Sequence, residues 1–394
     1  MGKAVPLPGV QPALLKWARE SAHLTLEEVA KRFGKPVEEI SAWESGAAAP
    51  SYTQLEKLAY ELYKRPLAIF FLPSPPSEVR PEAEFRALPD ADLRRLSRET
   101  VFLIRRARAY QASLQELFGG RSPNAEPIWR RVSLDSSKSI ADQAAAVRAA
   151  LGVPAIGAIE WGAPDGDDAL KLWRKAIEAG GVFVFKDTFK QREISGFCLA
   201  DPELPVVMIN NSTTKTRQIF SLLHELAHVL TNRRAISTFD DAPLARLAPS
   251  EQEIERFCNR ISAEILVPGQ DFAAQVAGLP RNIEALTSDG FAALAERYRV
   301  SREVILRRLR DADRVSQAFY EERKREWDGQ RTEEGSGGNF YLTKGAYLSE
   351  RLMSEVFARY GRRQITIDEA ADFIGVKPKQ VDELESRFLR GRAA

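Results

Sequence analysis

The stretch FSLLHELAHVL, residues 220–230, is almost continuously apolar. Yet it holds two of the three histidines in the chain, His224 and His228, with Glu225 beside the first. Its apolar spacing predicts a buried helix. Four residues apart on a helix, the two imidazoles lie on one face, one turn apart, and can share a tetrahedral metal. Glu225 then points to the side of that metal, where it can hold a water and take its proton. Zinc brings the pKa of such a water to about 7, so the base need not be strong. This is the chemistry of amide hydrolysis by a metallopeptidase. The alternative is a pair of core histidines, each hydrogen-bonded. Burying polar groups without partners costs about 1–3 kcal/mol each, and a metal satisfies both rings at once.

A catalytic zinc needs a third protein ligand and an open fourth position. No histidine follows His228, which excludes the long histidine-rich metzincin pattern and leaves a carboxylate. The next helix, about residues 251–267, lies within SEQEIERFCNRISAEILVP (250–268), and Ile254, Phe257, Cys258, Ile261 and Ile265 form its buried stripe. Glu251 and Glu255 flank one edge of that stripe, and Glu253 and Glu264 the other. Helical geometry does not choose among the four.

The 394 residues are 44% hydrophobic, enough for two or three domains with cores of their own. A net charge of +2 argues against a chain-wide nucleic-acid coat and leaves room for a local basic patch. With Cys198 and Cys258 alone there is no disulfide framework, and a reducing cytoplasm fits. The start, MGKAVPLPGV, lacks a signal-peptide core, and no apolar run reaches the length of a membrane span. No repeat of fixed period is evident. Residues 73–92, rich in proline and charge, read as a linker, and 93–118 as a helix. Helices are expected over 140–151 and 169–179, and short strands over 182–185, 196–200 and 205–211. Residues 294–309 read as a helix–turn–helix pair carrying Arg297, Arg299, Arg302, Arg307 and Arg308, with Arg310 just beyond. A solvated face is the usual meaning of such a run; DNA or an acidic partner is the other. EEGSGG (333–338) is a flexible break, and 339–394 is again helical.

HELAH followed by ERFCNRISAEILVP resembles the ImmA/IrrE family of bacterial and phage metallopeptidases, over about residues 140–310. The resemblance implies that Glu255, ahead of Phe257-Cys258-Asn259, is the third ligand, and that ILVP (265–268) ends its helix. It also matches VVMINN to the strand that precedes the HExxH helix. Asn259, one turn past Glu255, is a candidate for orienting a ligand. PVVMINN is a candidate edge strand for pairing with an extended substrate, with a plain core strand as the alternative. Tyr298 is one candidate oxyanion donor, as are several arginines.

A second resemblance lies in TLEEVAKRFGKPVEEISAWESGAAAPSYTQLEKLAYEL, residues 25–62, which is similar to the Xre/Cro helix–turn–helix. Thr25 caps a helix to Phe33, Gly34 makes the turn, and Val37, Ile40 and Trp43 are the apolar positions of the next helix. That recognition helix offers Glu38, Glu39, Ser41, Glu44 and Ser45 and no basic residue. Phosphate contacts dominate DNA affinity, so only Lys31, Arg32, Lys35 and Ser41 remain as candidate DNA or partner contacts. A protein-docking role competes with DNA binding. Phe70 and Phe71 read as packing between this domain and the linker.

The expected architecture is mainly α with a small α+β part. It comprises a five-helix Xre-like domain (1–75), a linker and connecting helix (76–139), a zincin-like metallopeptidase domain with a short sheet and a helix–turn–helix-like extension (140–312), and a helical C-terminal region (313–394). The radiation-response relative implied by the resemblance carries a GAF-type sensor, and the stretch after GSGG is too short for one. The expected function is a zinc-dependent endopeptidase, with manganese also tolerated by a His₂Glu site. It would cut a regulatory protein, an HTH repressor, in stress response or mobile-element control. The competing reading is a DNA- or protein-binding transcription regulator, or the antitoxin of a toxin–antitoxin pair.

Overall fold

The computed structural model describes residues 5–76, 96–191, 193–231, 235–238, 247–280, 282–328 and 345–393. They divide into two compact units, with the division after Arg106.

The first unit contains α1 (Pro12–Ser21), α2 (Leu26–Phe33), α3 (Val37–Ser45) and α4 (Tyr52–Lys57), which runs on as a π turn over Leu58–Tyr63. A short 3₁₀ helix, Leu67–Phe71, is the fifth element. The Thr25 side chain accepts from the Glu28 N–H, and the Glu28 carboxylate accepts from the Thr25 N–H at 2.8 Å, so two otherwise orphaned donors of α2 are satisfied. Gly34 ends the helix at φ +62°, a left-handed conformation that a side chain disfavours. Leu14, Leu15, Val29, Ile40, Trp43, Leu55 and Phe70 close the core. Of the aromatic pair, Phe70 is buried against Tyr63, whereas Phe71 is exposed. At the start of α5 (Arg98–Phe118), Arg98 and Arg105 donate to the Leu62 and Tyr63 carbonyls, capping the π turn.

The second unit opens, after the end of α5, with α6 (Ile128–Arg131), α7 (Ile140–Leu151) and α8 (Gly166–Ala179). Strands β1 (Phe183–Asp187), β2 (Ile194–Leu199) and β3 (Val206–Asn210) precede α9 (Lys215–Leu230), and β4 (Ala235–Thr238) follows it. The sheet order is β1-β3-β2-β4, with β1 parallel to β3 and the other neighbours antiparallel. Every residue of β2 and β3 is buried, which matches strands covered on both faces. Because β3 pairs on both sides, PVVMINN is an interior strand and not an edge. Among the described residues the edges are β1 and β4. The segment read as a loop after the motif helix supplies β4.

Next come α10 (Pro249–Leu266), α11 (Gly269–Ala277), α12 (Ser288–Tyr298), α13 (Arg302–Asp311) and α14 (Gln317–Asp328). Helix α9 packs between the sheet and α10, with α8 beside it. The buried Arg148 guanidinium of α7 donates to the Ile265 carbonyl at the end of α10 and to the loop carbonyls of Pro154 and Ile156, locking α7 onto α10. Core membership runs beyond 140–312. Ile128, Val132 and Leu134 join upstream, and Val315, Tyr320 and Trp327 join downstream. The chain ends with α15 (Glu350–Gly361), α16 (Ile367–Ile374) and α17 (Val381–Ala393).

Candidate metal centre

Helix α9 buries all of Gln218–Leu230 except the half-buried Phe220. That amount of apolar surface fixes its rotation, and the rotation aims both imidazoles at α10. The Nε2 atoms of His224 and His228 lie 3.0 Å apart. Glu255 of α10 places Oε2 at 3.2 Å from His224 Nε2 and Oε1 at 3.2 Å from His228 Nε2. Among the described residues these three form the one group with metal-ligand spacing, and all three are buried. Ligands about 2.0 Å from a tetrahedral zinc stand about 3.3 Å from one another. The observed spacings therefore fit a divalent ion, and the His₂-carboxylate donor set is one such ions favour.

The four glutamates of α10 are distinguished by their surroundings. Glu255 is 4% exposed and meets the histidines. Glu264 is engaged elsewhere, with Arg308 and the Gly269 N–H. Glu253 is exposed and Glu251 half-buried. Burial by itself pushes the Glu255 carboxyl up, but the charge and hydrogen bonds of His228 and His224 outweigh it and hold it well below the usual carboxylate range. Burial likewise opposes charge on His228, and Cys258 and Glu255 more than offset it, so that its pKa is raised. A carboxylate kept ionised while fully desolvated is the protonation state a metal ligand needs.

Glu225, next to His224 in the chain, is completely buried. Gly196 of β2 makes room for it. A Cβ built at Gly196 would stand 3.3 Å from Glu225 Oε1 and 2.9 Å from the Met208 carbonyl. Behind His228, the Cys258 thiol lies 3.8 Å from Nδ1, the position from which a second partner orients a ligating ring. Asn259 is half-buried, and its side chain has no hydrogen-bond partner among the described residues. His224 Nδ1 is buried without a partner there too. Tyr298 is committed elsewhere, its hydroxyl donating to Asp271 at 2.6 Å. Gly196 and Cys258 carried readable signals: a glycine inside a strand marks close approach, and Cys258 sits one turn past Glu255 on the same face.

The basic run of α12–α13 is tied into the fold. Arg297 pairs with Glu160 and Asp271, Arg299 donates to the Ala163 and Pro164 carbonyls, and Arg302 lies over Trp327. Arg307 pairs with Glu303, Arg308 with Glu264, and Arg310 with Asp311. In the first unit, Lys31, Arg32 and Ser41 are exposed, and Lys35 pairs with Glu39 at 3.1 Å. Glu44 turns inward onto Arg19, with two hydrogen bonds of 2.7 and 2.9 Å.

Among the described residues, no helix is long and apolar enough to cross a membrane. A comparison with curated proteins found no match. Comparison with family models shows that residues 177–310 match a peptidase family described as the IrrE N-terminal-like domain, and residues 15–61 a helix-turn-helix family, so the chain joins a helix-turn-helix unit to an IrrE-like peptidase domain.

Proposed function

We propose that this chain is a zinc-dependent endopeptidase that cuts a regulatory protein, an HTH repressor. The observation that carries the reading is the convergence of His224, His228 and Glu255 at 3.0–3.2 Å, with Glu225 buried on the same turn of α9. His224, His228 and Glu255 hold the ion, and Cys258 steadies the His228 ring. When bound, a divalent metal supplies Lewis-acid activation of a carbonyl and a water of lowered pKa. Glu225 acts as the general base. Its carboxylate takes a proton from the attacking water as the water oxygen bonds to the scissile carbonyl carbon. It then delivers that proton to the amide nitrogen as the C–N bond breaks, leaving one acid and one amine. Strand β4, an edge that touches α9, offers main-chain groups to an extended substrate segment. The repressor as substrate, and a role in stress response or mobile-element control, rest on the ImmA/IrrE resemblance and on the helix-turn-helix unit, which fits recruitment to a repressor or its operator.

The test is incubation of the metal-loaded protein with HTH repressors encoded beside it, with products identified by mass spectrometry. Cleavage at one site, absent in Glu225→Gln, is the expected result. Cleavage that persists in Glu225→Gln would remove Glu225 as the base.

A further inference from the structure

The C-terminal helices repeat the local construction of the N-terminal helix–turn–helix. In α2–α3, Thr25 caps, Glu28 closes the capping box, and Gly34 turns the chain at φ +62°. In α16–α17, Thr366 caps, Glu369 closes the box, and Gly375 turns the chain at φ +63°. The cap and the glycine are nine residues apart in both. The turn hydrogen bonds correspond: Lys35 N–H to the Ala30 carbonyl, and Val376 N–H to the Ala371 carbonyl, each at 3.0 Å. Buried positions correspond too. Val29 and Ala30 match Ala370 and Ala371, and Ile40 and Trp43 match Val381 and Leu384. A left-handed residue also follows the first helix in each, His23 two residues before its cap and Arg363 three before.

The side chains around this frame differ. Where the first turn of α3 exposes Glu38, the equivalent position carries Lys379, and Pro36 is replaced by Lys377. Arg362 and Arg363 follow α15, and a hydrogen bond of 3.0 Å from the Tyr360 hydroxyl to Asp382 brings that turn to the first turn of α17. Arg362, Arg363, Lys377 and Lys379 are all exposed, and none is in an ion pair among the described residues. That sets them apart from the arginines of α12–α13. The one large apolar side chain this segment exposes is Leu389, too little for the apolar anchors of a protein-docking face. Helix α15 packs on α8 and β1, while α16 packs on α15 and α17.

We propose that residues 349–393 are a second helix–turn–helix unit and that it binds duplex DNA. Ser41, Ala42 and Glu44 of α3 correspond to Asp382, Glu383 and Glu385 of α17, so the start of α17 offers no cation to the bases. Arg362, Arg363, Lys377 and Lys379 contact phosphates at the rim of the major groove, and binding is without sequence preference. B-form duplex is the occupant because its major groove admits a helix, whereas that of A-form RNA is too deep and narrow.

The test is fluorescence anisotropy of the full chain with a labelled mixed-sequence DNA duplex over a salt series. Four phosphate contacts predict a slope of log K against log salt of about −3 to −4. The variant Arg362→Gln/Arg363→Asn/Lys377→Gln/Lys379→Gln should bring that slope toward zero and weaken binding at low salt at least about tenfold. Asparagine is used at 363 because it tolerates the left-handed backbone. Should that variant misfold by circular dichroism, Lys377→Gln/Lys379→Gln alone should reduce the slope by about 2. Absence of duplex binding at low salt would overturn the proposal. So would an unchanged slope in the folded variants, or binding abolished by Lys31→Gln/Arg32→Gln instead. Preference for an RNA duplex of equal length would reassign the surface to RNA.

Discussion

Glu225 and Glu255 are both buried carboxylates, and their surroundings differ. Glu255 directs both oxygens at the imidazoles, the arrangement behind its proposed role as a ligand. Glu225 sits against Gly196 and outside that triad, in keeping with its proposed role as the base. Glu225→Gln is therefore expected to keep the metal and lose about 10²–10⁴-fold in cleavage rate, as measured by single-turnover proteolysis. Glu255→Ala should lose tight metal binding, and Glu251→Ala should keep it, as read by titration with a chromophoric chelator. Gly196→Ala forces a Cβ against a backbone carbonyl, which cannot yield as a side-chain tip can. It should cost about 1–3 kcal/mol of stability by denaturant unfolding, and lower activity through Glu225. The histidine pair and Glu225 were legible because HExxH is a local pattern. The choice of Glu255 over Glu251, Glu253 and Glu264 was not local, since it depends on which side of α10 meets α9. It came from the family resemblance. Cys258 was read only as part of a buried stripe, because its neighbour His228 is on another helix.

Elements bounded by strong caps were read closely. Residues 140–151 match α7, where Ser139 caps and Gly152 turns left-handed. The three strands were found within about two residues of their observed ends. Their pairing was not readable: β3 looks the same as an edge or a centre strand until β1 and β2 flank it. The helix α8 also carries a buried charge that sequence did not flag. Glu178 accepts from the N–H groups of Val184 and Arg351, each at 3.2 Å. Burial pushes its carboxyl up to about 7, against the pull of Arg174, Ser349 and Val184. The folded value lies above the ordinary 4.5, so the stability this group adds is complete below that value. It falls as pH rises, and is gone above about 7. Glu178→Gln should abolish this slope. Relative to the wild type, the variant should gain up to about 3 kcal/mol between roughly pH 5 and 8 in thermal melts. A parallel pair of pH profiles would contradict it.

For the whole molecule, net charge proved a poor guide to where charge is available. The near balance of 57 basic and 55 acidic residues conceals arginines of α12–α13 spent inside the fold, and four uncommitted cations in the C-terminal unit. The Thr25–Gly34 construction recurs once, at Thr366–Gly375, and a single recurrence at long separation has no fixed period. An ion held by His224, His228 and Glu255, as proposed, would join α9 to α10 and cross-brace the second unit. Chelation should lower its melting temperature, by the equivalent of about 4 kcal/mol when free metal stands at a thousandfold over Kd. The first unit, with its own core, should melt unchanged.

The most direct measurement is metal stoichiometry by native mass spectrometry on the wild type, Glu225→Gln and His228→Ala. One zinc ion per chain is expected in the first two and none in the third. Metal retained in His228→Ala, or a wild type that takes up none on reconstitution, would contradict it.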